Sequence, residues 1–218
     1  MVQKKRPTRE RILDTALALF NERRYGAVTT AMLANEVGIA EGNLWYHFND
    51  RESLLHGIME RFKAQTAERL KLRPEPGQAL ANYVDYFRYM SEELSTYRFL
   101  YRDQADYGPI IGKLSQVLPS LYEDTAAQFR SYLKGMRSDG HLQIADDALE
   151  LAVTNLLIIF RFYLEFAREA GLPEQAGSGA VRRAFRLHLG LFEDRLTPEA
   201  FDYLREQLSL DDLPALVL

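Results

Sequence analysis

Residues 29–55 read TTAMLANEVGIAEGNLWYHFNDRESLL, with Ala34 four residues before Gly38 and Leu44 six after it. A small residue lets two helices approach, a glycine accepts a left-handed turn, and the later apolar residue anchors the second helix inward. The spacing predicts a helix-turn-helix. Leu33, Val37, Ile39 and Phe48 complete a small core. Ala40, Glu41, Asn43, Tyr46 and His47 are left facing outward, where the N-terminal part of a recognition helix meets a major groove. Thr29 or Thr30 suits the cap of the first helix of the pair, and Asp50 the cap of the helix that follows. Glu41 is an acid on a surface that would meet a polyanion. It can accept a hydrogen bond from cytosine N4, or it can serve only the positive end of a short helix.

Outward from this stretch the periodicity is helical nearly everywhere, with no run of strict alternation. Ile12, Ala16, Leu19 and Phe20 form a stripe on a helix that starts near Thr8. After the helix-turn-helix come segments of about 51–72, 77–95, 97–106 and 110–137, then about 146–170, 180–195 and 198–209. RPEPG (73–77) reads as a linker, SDGH (138–141) as a turn and EQAGSG (174–179) as a loop. Breaks are expected at Ser95-Thr96, at Gly108-Pro109 and near Pro119. Thr197 is the cap and Pro198 the first residue of the last helix. The predicted fold class is all-α. A head, 1–51, carries the DNA-binding helix-turn-helix, and a larger helical body, 52–218, serves ligand binding and dimerisation.

The 218 residues are 47% hydrophobic and include no cysteine, which excludes thiol catalysis, zinc ribbons and a disulfide scaffold. The four histidines have no metal-ligand spacing, so neither a metal nor another cofactor is expected. The net charge is −4, yet residues 1–51 carry eight Lys/Arg against six acids. A mildly basic head on an acidic body suits a protein that offers one end to DNA. The N-terminus is basic but lacks the apolar core of a secretory signal. The most lipid-like run, Leu151 to Phe160, is ten residues long, and a membrane span needs about twenty. No membrane association and a cytoplasmic location are expected.

Residues 8–55 resemble the DNA-binding head of the TetR/AcrR transcriptional regulators. The likeness rests on Phe20 and Gly26, the Thr29-Thr30 pair, the Ala34–Gly38 turn, Gly42-x-Leu44-aromatic-x-x-Phe48, and Asp50-Arg51. It implies a head that grips operator DNA as half of a two-fold dimer. Thr30, Tyr46, His47 and Arg51 would then hold phosphates, beside Thr29 at the cap. Glu41, Gly42, Asn43 and Trp45 would approach bases or sugar edges. Charge and free amides at the start of a helix favour a phosphate at Arg51, and Asn43 can read the N6/N7 edge of adenine. Lys4, Lys5 and Arg6 could form an arm toward the backbone or minor groove. Trp45 also suits the core of the head, His47 a plain surface position, and the basic tail simple solubility. Glu41 departs from the basic or small residue commonest in the family.

Eight of the 25 Phe, Tyr and Trp residues fall between Tyr83 and Tyr107. Tyr83, Phe87, Met90 and Leu94 make one helical stripe, while Tyr86, Tyr89, Tyr97 and Tyr101 lie partly off it. Tyrosine supplies an apolar body and a hydroxyl, a useful lining for a mostly apolar cavity. With Phe129, Tyr132, Phe160 and Tyr163 these side chains form the expected effector site, against the simpler reading of ordinary packing. Arg98, Arg102, Asp103 and Asp106 read as a salt-bridge network, with Arg102 the alternative partner for an acidic ligand group. Helix 146–170 has two apolar sides, one with Leu149, Val153, Leu156, Phe160 and Leu164, the other with Leu151, Ile158, Phe162 and Phe166. Helix 180–195 is similar, with Ala184, Leu187 and Leu191 on the second side. Two helices that need covering twice predict a four-helix interface between two copies, which is also the dimer contact that the resemblance implies.

The expected function is a ligand-responsive transcription regulator, a repressor that binds a palindromic operator as a homodimer and is released by a small, largely apolar effector. The alternative is an architectural DNA-binding protein of the same fold, with a closed body and a protein partner. An enzyme is not expected: the sequence has no G-x-S-x-G, P-loop or H-E-x-x-H motif.

Overall fold

Helix α1 (Thr8–Arg23) forms where Ile12, Leu13, Ala16, Leu19 and Phe20 recur at helical spacing, and all five are buried. The computed structural model describes residues 8–103, 106–107, 111–175, 177–211 and 213, with backbone alone over 111–117. The Gly108-Pro109 break therefore lies outside the described residues. Helix α2 (Thr30–Val37) is capped by Thr29, whose hydroxyl accepts from the Met32 amide at 3.2 Å. Gly38 ends it in the left-handed conformation, at φ 75°, and the amides of Gly38 and Ile39 both return to the Ala34 carbonyl at 3.0 Å. Helix α3 (Glu41–His47) follows, with Leu44 buried beneath it. Helix α4 (Arg51–Arg69) opens on a reciprocal capping box between Asp50 and Ser53.

The remaining helices are α5 (Ala79–Thr96), α6 (Arg98–Arg102), α7 (Ile111–Ser138), α8 (Asp146–Glu169), α9 (Ala180–Leu189) and α10 (Pro198–Gln207). Among the described residues there is no strand, only an isolated bridge between Leu142 and Leu196. The linker at 73–77 is pinned at its end: the Asp139 carboxylate accepts from the amides of Gly77 at 2.9 Å and Ala79 at 3.0 Å. It thereby caps α5, whose own N-cap residue Gln78 contributes no side-chain bond.

Three helix ends differ from expectation. Helix α6 stops at Arg102 because Asp103 turns away to pair with Arg102 and to accept from the Tyr25 amide at 2.8 Å. Helix α9 stops at Leu189, where Gly190 and a 3-10 turn over Glu193–Arg195 let Phe192 swing fully into the core. Helix α7 runs through Pro119 without ending, since an exposed proline forfeits one backbone bond of a 28-residue helix.

Two hydrophobic clusters organise the molecule. One joins α1–α4 to Tyr97, Phe99, Leu100 and Tyr107, so α6 packs with the head as well as with the body. The other is built from α5 and α7–α10, with Tyr83, Phe87, Phe129, Leu156 and Phe185 at its centre.

Candidate nucleic-acid interface and interior cavity

Leu44 and Phe48 point into the head, and that fixes what α3 presents. Gly42 and Asn43 are exposed, a side chain at Gly42 would meet open space, and Tyr46 is 85% exposed. Trp45 and His47 are half-buried, with the His47 ring edge-on to Tyr46 at 5.3 Å. Glu41 lies in the first turn of α3 and accepts a hydrogen bond from the Thr30 hydroxyl at 2.5 Å. The acid therefore ties the start of α3 to the start of α2. Thr29 is occupied as the α2 cap. Lys4, Lys5 and Arg6 lie outside the described residues.

Arg51 differs from the expectation of a phosphate-holding group. Its guanidinium turns inward and donates to the carbonyls of Tyr25 and Val28, with the Tyr25 ring 4.1 Å beneath it. Those carbonyls belong to the segment between α1 and α2 and have no helical partner, so the arginine satisfies them and sets the start of α4 against the head. Arg11 plays a related part that the sequence did not disclose: it donates to the Val37 carbonyl at 2.7 Å, at the end of α2. Arg61 of α4 reaches back to Asp14 at 2.8 Å and to Glu10. The outward side chains of α3 thus stand on a head locked by three arginines.

In the body, α4–α8 border a partly open cavity of about 60 Å³. Phe62 and Arg69 come from α4, Met90, Glu93 and Leu94 from α5, and Leu100 and Tyr101 from α6. Helices α7 and α8 add Leu118, Leu121, Tyr122 and Thr125, then Leu156, Leu157, Phe160 and Arg161. Of the residues expected around an effector, Met90, Tyr101 and Phe160 are in this lining. The others stand elsewhere. Tyr83, Tyr86, Phe87, Phe129 and Tyr132 pack on one another as solid core. Tyr83 is hydrogen-bonded to Nε2 of the fully buried His188 at 2.7 Å, and burial pulls that imidazole down to about 3. Burial likewise pushes the Tyr132 hydroxyl up to about 12.

Tyr163 accepts from Arg183 at 3.1 Å, Tyr97 packs edge-on against Phe62 at 5.3 Å, and Tyr89 is 50% exposed. Arg102 is not at the cavity: it pairs with Asp103 and donates to the carbonyls of Phe20 at 2.9 Å and Asn21 at 2.8 Å. The stripe of Tyr83, Phe87, Met90 and Leu94 is buried while Tyr89 is exposed, and periodicity cannot say which inward side chains border a void.

The polar wall of the cavity is an ion pair that sequence reasoning missed. Arg69 and Glu93 are both buried, with Arg69 Nε 3.1 Å from Glu93 Oε2. Thr66 donates to the same oxygen at 2.9 Å, and Arg69 also reaches the Tyr86 hydroxyl at 2.5 Å. A buried pair is tolerated when such additional bonds complete it. The available signal was Glu93 itself, an acid flanked by Met90 and Leu94 on the inward stripe of α5.

Of the seven residues expected to cover a partner helix, Leu151, Ile158, Phe162, Phe166, Leu187 and Leu191 are exposed. Ala184 is the exception: it is 3% exposed and packs within the chain's own core, because α9 turns that side toward α8. Among the described residues no helix is long and apolar enough to cross a membrane.

The family model described as "Bacterial transcriptional repressor" (TetR) matches residues 61–204, and "Bacterial regulatory proteins, tetR family" matches residues 12–58. The uncharacterized HTH-type transcriptional regulator YvkB of Bacillus subtilis (strain 168) is 23% identical over 163 residues, 73% of this chain and 82% of that protein. The HTH-type transcriptional repressor KstR2 of Rhodococcus jostii (strain RHA1) is 39% identical over 54 residues, 25% of this chain and 26% of its own. Among solved structures, a TetR-family transcriptional regulator from Marinobacter aquaeolei VT8 superposes with a TM-score of 0.76 at 22% identity, covering 93% of this chain and 98% of that one. A SmeT–triclosan complex superposes with a TM-score of 0.58 at 20% identity, covering 89% and 94%. The chain belongs to the TetR family of bacterial transcriptional regulators, and it is a regulator rather than an enzyme.

Proposed function

From that membership we propose a ligand-responsive repressor that binds a palindromic operator as a homodimer and leaves it when a small, largely apolar effector fills the body. In this reading residues 1–51 are the DNA-binding unit and 52–218 the effector and dimerisation unit, working in the cytoplasm. Asn43 reads a base edge, while Tyr46, His47 and Thr30 stand beside phosphates. The exposed row of Leu151, Ile158, Phe162 and Phe166 on α8, with Leu187 and Leu191, covers its counterpart in a second copy.

The observation that carries the proposal is the sharing of helices between the cavity and the head. Leu100 and Tyr101 of α6 line the cavity, and the next residue, Arg102, grips the Phe20 and Asn21 carbonyls at the end of α1. Phe62 of α4 lines it too, while Arg51 at the other end of that helix holds the turn before α2. A guest that prefers one placement of α4 and α6 also selects one placement of the head, which is the differential binding that coupling requires. The triclosan complex of the structural relative supports reading the cavity as a small-molecule site. The cavity counts against the closed body of an architectural protein.

The test is titration of operator binding with candidate effectors. The proposal expects a cavity-filling compound to weaken operator affinity at least about fivefold, the lower end of ordinary coupling. If filling the cavity leaves operator affinity unchanged, the sensor half of the proposal fails.

A further inference from the structure

The chemistry of the cavity wall narrows its guest. We infer that the effector is a neutral, single-ring aromatic molecule with one hydroxyl, of the phenol class, donating to Glu93; this rests on the effector-cavity reading above. Size comes first. About 60 Å³ is less than half of the ~150 Å³ apolar cavity that takes a benzene ring, so even one ring enters only as Met90, an adaptable side chain, gives way. A single substituted ring is the largest aromatic unit that so small a space can take in. Phe62, Tyr101 and Phe160 in the lining offer ring edges and faces to an aromatic guest.

Charge comes second. Every nitrogen of the Arg69 guanidinium is already engaged. Nε meets Glu93 Oε2 at 3.1 Å, Nη1 meets the Tyr86 hydroxyl at 2.5 Å and Gln128 at 3.4 Å, and Nη2 meets Glu93 Oε1 at 3.5 Å. Arg161, half-buried at the α8 side, is engaged as well. An anionic guest at Arg69 would compete with the Glu93 carboxylate for the same guanidinium. A cationic guest meets two arginines against one glutamate among the described charges of the lining. Burying either ion there without a dedicated partner is costly.

Glu93 provides the remaining handle. Its Oε2 accepts from Thr66 at 2.9 Å and from Arg69, whereas among the described residues Oε1 receives one contact, at 3.5 Å. A carboxylate oxygen has lone pairs for more than one long bond. A neutral O–H gains a charge-assisted hydrogen bond at that atom and adds no net charge to the cavity.

The test is calorimetric binding of phenol, toluene, benzoate and benzylammonium to the full chain without DNA, at a pH near 7.5. Phenol should bind about tenfold or more tighter than toluene and at least as far ahead of both ions. Glu93→Gln should shrink the advantage of phenol over toluene to about threefold or less while toluene still binds. Leu157→Trp, which fills the cavity, should abolish phenol binding in a chain whose circular dichroism remains helical. Phenol and toluene binding alike would overturn the proposal and leave the effector cavity standing, as would benzoate or benzylammonium binding tightest. Phenol binding that survives Leu157→Trp would overturn it by placing the guest elsewhere. If none of the four binds, the phenol-class proposal falls, and the effector-cavity reading is decided by the operator titration above.

Discussion

Glu41 is the residue whose meaning changed most between sequence and structure. An acid beside DNA invites the idea of cytosine reading, but its carboxylate is held by Thr30 across the turn and sits in the first turn of α3. Both features favour a positioning role. Removing a negative charge beside the phosphate backbone then helps every DNA sequence equally. Glu41→Ala should tighten operator and random DNA by the same factor, about two- to threefold at fixed moderate salt, in competition binding. An altered preference at one operator base would restore the base-reading role.

His188 is a second decisive residue. Burial holds its pKa at about 3, below an ordinary value of 6.5, so the unfolded chain takes up the proton first as pH falls. The stability that comes from keeping this ring neutral is complete above 6.5. It declines from there toward pH 3, at up to ~1.4 kcal/mol per pH unit. Urea denaturation between pH 7 and pH 4.5 should show His188→Phe losing less stability than the parent chain. Parallel pH curves for the two would contradict this account.

Among the elements, the start of α4 shows how a site expectation gives way to geometry. A helix N-terminus attracts a phosphate, which favours one at Arg51, yet the carbonyls of Tyr25 and Val28 claim its fork first. Arg51→Ala leaves both carbonyls without this partner and removes the stacking on Tyr25. It should lower stability by about 1–3 kcal/mol, read from the urea midpoint at unchanged m-value. Loss of DNA affinity with unaltered stability would instead return Arg51 to the phosphate.

The helix-turn-helix was legible because Ala34, Gly38 and Leu44 encode it within eleven residues, through local turn chemistry and one short packing contact. The cavity was legible only in part. Tyr83 and Phe129 carry the same inward signal as Met90 and Phe160, and only the separation of α4, α7 and α8 decides which of them faces a void. The early end of α9 was missed for a similar reason. Val181 to Phe192 keeps an apolar pattern through Gly190, but the fold gains more by turning Phe192 inward than by extending the helix.

At the scale of the whole molecule, the row on α8 is a surface that a lone chain leaves in water. Leu151 is 64% exposed and Phe162 51%, while the opposite side of the same helix is fully packed. Covering it with a second copy would remove the cost of exposing it and fix the distance between two reading helices. Ile158→Glu with Phe162→Glu should give a monomer in sedimentation velocity that stays folded and loses operator affinity more than a hundredfold, since each head then binds alone. A double variant that remains dimeric would place the interface elsewhere.

The central claim is that α3, carried by a two-fold dimer, reads DNA sequence. Selection of bound fragments from a random DNA pool, followed by footprinting of the winner, tests it most directly. The account predicts an enriched palindrome whose half-sites are centred about one helical turn apart, ~34 Å or slightly more, with Asn43→Ala relaxing one position in each half. Enrichment of no sequence above the starting pool would contradict it.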